Sequence, residues 1–221
     1  MIPESIGEKA PRAYRSQLRR QQAEATRSRI VAAAAELFGT DGYARTTLSK
    51  IAAAAGVSVE TVQGQGSKAA LLVAAVEFSA FGVIGEESIL NLEFGRGLLA
   101  IDDFESAVDY LVDRQTEVHE RTALLALALF GGASADAELD RYLSGLMASI
   151  NGQTERILGV FRDRGWVRGD LPFDDLVETC AVLCGVETFL RVTHRDGWSA
   201  EAYRGWLRRM LTETVFAHSS S

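Results

Sequence analysis

From Gly56 to Gly64 the chain reads Gly-Val-Ser-Val-Glu-Thr-Val-Gln-Gly. Ser58 and Thr61 supply hydroxyls, Glu60 a carboxylate, Gln63 a carboxamide and Val59 a small aliphatic group. On the outer side of a short helix, groups of this kind hydrogen-bond to base edges. A carboxamide pairs with adenine, a carboxylate accepts from cytosine N4, and an aliphatic side chain meets a thymine methyl. Glu60 also repels phosphates, so it is equally at home on a plain solvent face. The chemistry on offer is recognition rather than bond breaking. Elsewhere, three His, two Cys and scattered carboxylates show no local catalytic or metal-binding spacing, so no enzyme, metal or cofactor is expected. Cys180 and Cys184 lie four apart in an apolar stretch. A redox pair is one reading; small core residues are the more ordinary one, and two thiols without a nearby His make no zinc site.

The elements around this segment explain how it would be presented. Ile30, Ala33, Ala34, Leu37 and Phe38 fall at i, i+3, i+4, i+7 and i+8, which predicts a first helix from about Ala25 to Phe38, ended by Gly39. Leu48, Ile51, Ala52 and Ala55 repeat the pattern in a second helix, which Thr46 or Thr47 can cap. Gly56 permits a tight turn, Val57 plugs the core, and Ser58 caps a third helix beginning Val59-Glu60-Thr61-Val62. Ser67 caps a fourth, with Leu71, Leu72, Ala75 and Phe78 facing inward. A helix, a tight turn and a second helix are the form of a helix-turn-helix, which sets its second helix in the DNA major groove.

Beyond Gly85 longer helices are predicted. One opens at Asp102 or Asp103 and runs to about Glu117. A second apolar run, Ala123 to Phe130, stops at Gly131-Gly132. A long helix follows from Ser134 to Gly165. The stretch from Leu176 to about Val192 is apolar on nearly every face, which predicts burial on two sides. A last helix, from Ser199 to about Phe216, carries Tyr203, Trp206, Leu207, Met210 and Leu211. Only Pro3, Pro11 and Pro172 occur among the 221 residues, so no proline interrupts 13–171, and an all-α fold is expected. No run of about 18 apolar residues is present and no signal peptide is seen, which points to a cytoplasmic protein with no membrane partner.

The net charge of −7 is unevenly spread. Residues 1–75 carry a net +4 and residues 76–221 a net −11. A basic end on an acidic body suits a protein that touches a polyanion with that end only, although solvated helix faces also vary in charge. Residues 1–24, with Lys9, Arg12, Arg15, Arg19 and Arg20 among Gln, Ser and Pro, are expected to form a flexible basic arm. Residues 25–72 would form the helix-turn-helix domain and 73–221 a larger helical domain.

Taken together, Ile30 to Phe38, Gly42-Tyr43, Thr46-Thr47, Ile51-Ala52, Ala55-Gly56-Val57-Ser58, Thr61-Val62 and Ser67 to Leu72 resemble the TetR family of bacterial transcriptional regulators. The resemblance implies an all-α homodimer with a three-helix DNA-binding domain and a larger helical ligand-binding and dimerisation domain. It implies a repressor on a near-palindromic double-stranded DNA operator, released by a small-molecule effector. By the same alignment Arg45, Thr46 and Thr47 stand at the start of helix two, where a cation, hydroxyls and free helix N–H groups suit a phosphate. Lys68, opening helix four, is a second phosphate candidate. The family usually carries an aromatic after Thr-Val and a Phe before Ser-Lys. Here Gln63-Gly64-Gln65-Gly66 stands instead, one residue short. Two glycines disfavour a helix by about 1 kcal/mol each, so helix three is expected to be short.

Candidate effector contacts are Tyr110, His119, Phe130, Met147, Trp166 and Phe189, with core packing as the competing role for each. Composition favours a mostly apolar effector. The alternative to a ligand-responsive regulator is a helical small-molecule binder whose DNA head is impaired.

Overall fold

The computed structural model describes residues 12–81 and 93–217. Helix α1 spans Arg12–Arg45, with its break at Gly42, where φ is +74°. The first helix is therefore longer than its apolar stripe. Gly39 lies inside it, and residues 12–24 are helical rather than a loose arm; residues 1–11 lie outside the described region. Ile30, Ala34 and Phe38 are fully buried, as the spacing requires. Helices α2 (Leu48–Ala55) and α4 (Lys68–Phe81) pack on this stripe, and α3 (Val59–Gln63) packs on α2. Leu71, Leu72 and Ala75 are buried as expected, whereas Phe78 is exposed.

Helix α5 covers Glu93–Leu99, and α6 is one continuous helix over Phe104–Ala133, capped by Asp103. The expected interruption after Glu117 is absent because the threonines there are satisfied within the helix and His119 finds a partner outside it. Thr116 and Thr122 donate to the carbonyls of Val112 and Val118 at 2.7 and 2.8 Å, and His119 is buried against Cys184. Helix α6 ends at Ala133, one residue past the expected stop at Gly131-Gly132. At Gly132 a Cβ would stand 2.6 Å from Leu139 Cδ1 and 2.8 Å from the Tyr43 ring, so the glycine makes room for two neighbours.

Helix α7 spans Ala137–Asp163, capped by Asp136 rather than opened at Ser134. Gly165, at φ +74°, turns the chain after it. The expected single helix over 176–192 is instead α8 (Phe173–Leu183), a break at Cys184-Gly185, then α9 (Val186–Phe189) widening into a π-helical turn over Leu190–Arg195. The break frees carbonyls, and side chains take them: Thr188 donates to Val182 O, and Gln115 and His119 reach Cys184 O. Nor is the stretch buried all round, since Val182 is more than half exposed. Helix α10 covers Ala200–Thr214. Arg208 pairs with Glu105 and Asp109, and Arg204 with Asp113 and Glu120, fastening α10 along α6.

Two apolar cores result. The first joins α1 to α4 with Leu125, Ala128 and Leu129 of α6 and Leu139 of α7. The second joins Val108, Leu111 and Val112 of α6 with Leu158 and Phe161 of α7, Leu176 of α8 and Tyr203, Leu207 and Leu211 of α10. Helix α6 thus runs through both. Among the described residues no helix is long and apolar enough to cross a membrane.

Candidate nucleic-acid interface

The turn between α2 and α3 is built as its sequence suggests. Gly56 adopts φ +65°, ψ +41°, and the Val57 N–H donates to Ala52 O at 3.0 Å. Ser58 caps α3: its hydroxyl accepts from the Thr61 N–H at 3.2 Å and lies 3.0 Å from the Thr61 hydroxyl. Val62 is fully buried and anchors α3 to the head. That leaves Ser58, Glu60, Thr61 and Gln63 exposed, with Val59 half-buried. Its own backbone N–H and the Ser58 hydroxyl hold the Glu60 carboxyl below the usual carboxylate range, so it stays ionised on this face.

Helix α3 has one and a half turns. Gly64 ends it in right-handed geometry, and Gly66 follows at φ +137°, a conformation that favours glycine. Gly66 therefore does structural work in the exit from α3. Here Arg27 of α1 donates to Gln65 Oε1 at 3.3 Å, a contact that no local motif announces.

The expected phosphate contacts divide. Arg45 is exposed, its Nε donating to Asp41 O at 2.9 Å, and Thr47 is the exposed cap of α2, accepting from the Lys50 N–H at 3.2 Å. Thr46 is a correction: it is fully buried, and its hydroxyl donates to the carbonyls of Gly42 and Leu37 at 2.8 and 3.1 Å, closing the kink in α1. Lys68 is half-buried; its ammonium sits 3.9 Å over the Tyr43 ring and donates to Tyr43 O at 3.1 Å. Its first task is to hold α4 on α1.

The same Tyr43 links head and body. Its hydroxyl donates to Asp136 Oδ2 at 2.5 Å, and Ser67 donates to Glu138 Oε2 at 2.8 Å. The Tyr43 bond holds the Asp136 carboxyl below its ordinary range.

In the body, the expected effector residues are dispersed. Trp166 packs edge-on to Phe104 and Phe161. Tyr110 lies against Gly97, Phe130 borders the second core, and Met147 is half-buried on α7. His119 and Phe189 do meet, with ring centroids 5.5 Å apart, and Tyr203 stands edge-on to Phe189 at 5.1 Å. His119 Nε2 is 2.8 Å from Cys184 O and so carries the proton. Burial lowers the imidazole's pKa, leaving Nδ1 as a buried acceptor without a hydrogen-bond partner among the described residues. Gln115 and Tyr203 belong to this cluster and were not foreseen. Gln115 was legible only as His119's i−4 neighbour. The sulfurs of Cys180 and Cys184 are 4.0 Å apart, and Cys180 together with burial pushes the Cys184 thiol's pKa well up. A raised thiol pKa suits a packing role.

Residues 30–75 match the family described as bacterial regulatory proteins, tetR family. A search among curated proteins finds no match. Solved structures share the fold. One is a putative transcriptional regulator from Saccharomonospora viridis in complex with choline, 19% identical, covering 88% of this chain and 100% of that one, with a TM-score of 0.68. NalD, the secondary repressor of the MexAB-OprM multidrug efflux pump in Pseudomonas aeruginosa, is 18% identical over 88% and 98%, with a TM-score of 0.64. SmeT, the repressor of the Stenotrophomonas maltophilia efflux pump SmeDEF, is 20% identical over 89% and 93%, with a TM-score of 0.62. The capped, Val62-anchored helix-turn-helix thus lies within residues 30–75, which match the tetR family of bacterial regulatory proteins, on a body that shares its fold with these solved structures.

Proposed function

We propose that the chain is a ligand-responsive transcriptional regulator, a repressor that binds a near-palindromic operator as a homodimer in the cytoplasm. The observation that carries this reading is α3, capped by Ser58, anchored by Val62 and leaving Ser58, Glu60, Thr61 and Gln63 outward. In this reading residues 25–72 read DNA and 73–221 bind the effector and the second subunit. Val59 and Gln63 meet bases, while Arg45, Thr47 and Lys68 lie at phosphates. Exposed Val182 of α8 and half-buried Trp206 and Met210 of α10 supply the dimer surface. A twofold pair of such heads reads two half-sites about 34 Å apart. The effector is small and mostly apolar. Its hydrogen-bond donor meets Nδ1 of His119, and Phe189 and Tyr203 flank it. NalD and SmeT are repressors of efflux pumps, and SmeT has been solved with triclosan, which supports this class of function for the fold.

Selection from random duplex DNA with the full chain tests the reading: enrichment of a near-palindromic site supports it, and no enrichment sinks it. A second reading, a helical binder with an impaired head, is favoured by one observation, the five-residue length of α3. It predicts no enriched site together with saturable binding of apolar compounds.

A further inference from the structure

The hydrogen bond from Arg27 to Gln65 fixes where α1 lies relative to the reading helix, because Gln65 is two residues past the end of α3. Upstream of Arg27, α1 continues without a break to Arg12. That is about 22 Å of helix at 1.5 Å per residue. Its composition is unusual: residues 12–29 contain Arg12, Arg15, Arg19, Arg20, Arg27 and Arg29 against a single carboxylate, Glu24. Residues 19–25 are all exposed, so this part of α1 buries nothing in the head. Arg20 is seven residues before Arg27, hence on the same side of the helix and about 10 Å further out.

We propose that this extension is a second DNA-contacting element, in which Arg27 and Arg20 bind phosphates flanking the bases read by α3 and Gln65 holds Arg27 in position. A polar helix overhanging a head is stable when something covers it, and six cations beside one anion favour a polyanion. The geometry selects duplex DNA among polyanions, because Arg27 is tied to the exit of the helix whose outer face bears the base-reading groups. Gly66 stands directly before Ser67-Lys68, where the resembled family has a Phe, and Arg27 supplies an anchor at that edge of the head. Glu24, between the two arginines on this side, opposes phosphate and limits the contact to the flanks of Arg20 and Arg27. The inference rests on the DNA-binding reading above.

The test uses the full chain and two probes: a duplex of about 40 base pairs recovered from random-sequence selection, and the same site trimmed to its α3-read core. Arg27→Ala is expected to weaken binding to the long duplex about tenfold, as loss of one charge-assisted contact does. Arg27→Ala and Arg20→Ala should each lower the salt slope of binding by about one without changing the selected sequence. Arg27→Lys should keep the slope. The Arg20→Ala defect should vanish on the trimmed duplex. Circular dichroism and thermal unfolding establish that the variants are folded. Wild-type binding with unchanged slopes in both alanine variants overturns the proposal and leaves the DNA-binding reading standing. A wild-type chain that binds no duplex overturns both. Equal losses on long and trimmed duplexes overturn the flanking role of Arg20.

Discussion

The Tyr43 hydroxyl donates to Asp136 Oδ2 at 2.5 Å across the joint between the helix-turn-helix head and the α6–α7 turn. The same Tyr43 ring stacks near Phe38, carries the Lys68 ammonium on its face, and lies over Gly132. One side chain is thus held by α1, α4, α6 and the cap of α7. Any movement of the body that shifts the α7 cap is felt first at this phenol.

Tyr43→Phe keeps the ring and removes the bond, so it should lower the melting temperature by a few degrees. The pH dependence identifies the partner. Asp136 is held below the ordinary aspartate value of 3.8 chiefly by Tyr43, so its contribution is present above that pH and is lost as pH falls through the lower native value. Urea unfolding of both proteins should show a gap at neutral pH that narrows as pH falls below 3.8. A gap unchanged by acid would assign the loss to packing instead.

At Gly132 the Cβ of any other residue would meet Leu139 and the Tyr43 ring at 2.6 and 2.8 Å. Gly132→Val should destabilise the chain by about 1–3 kcal/mol through overpacking. Gly131→Ala, one residue away where a Cβ meets nothing within 4 Å, should be neutral or stabilising. Chemical denaturation of the pair separates crowding from helix propensity.

The two glycines after α3 should respond in opposite directions. Gly64 is right-handed, with a Cβ at ordinary contact distance of 3.4 Å from Glu60 O, so Gly64→Ala should stabilise by about 0.4–1 kcal/mol. Gly66 has φ +137°, and its Cβ would lie 3.0 Å from Ala70 Cβ, so Gly66→Ala should destabilise by about 1–3 kcal/mol. Melting temperatures of the two variants check this, and a stabilised Gly66→Ala would contradict the assigned geometry.

Much of this was readable from residue spacing. The stripe Ile30, Ala34, Phe38 and the Gly56-Val57-Ser58 turn are local signals, and each residue sits where its period places it. The long helices were harder. Thr116, His119 and Thr122 read as a polar gap because their satisfaction depends on helix carbonyls and on Cys184, sixty-five residues after His119. The break at Cys184 was hidden by apolar neighbours and becomes intelligible only with Gln115 and His119 in place. Thr46 looked like a phosphate ligand because the kink it closes at Gly42 leaves no mark beyond a glycine. Arg27 and Gln65, thirty-eight apart, carry no shared motif at all.

His119 offers a pH test of the body. Burial lowers its pKa from 6.5, so the unfolded chain takes up a proton at a pH where the native chain does not. Stability should therefore fall as pH drops below 6.5, and the loss should continue until the native imidazole itself is protonated. His119→Gln retains a donor for the Cys184 carbonyl and should flatten that slope. Thermal unfolding of wild type and variant in matched buffers decides it; parallel slopes would remove His119 as the cause.

The path of α6 through both cores bears on how freely such heads can be exchanged. Leu125, Ala128 and Leu129 close the same core as Phe38, Ile51 and Val62, while Val108 and Leu111 on the same helix close the other. A cut inside α4, near Leu72, would strip the head of its floor and leave those leucines bare on the remainder. A chimera that borrows this helix-turn-helix head must carry the second half of α6 with it, so the transplantable unit is discontinuous in the chain.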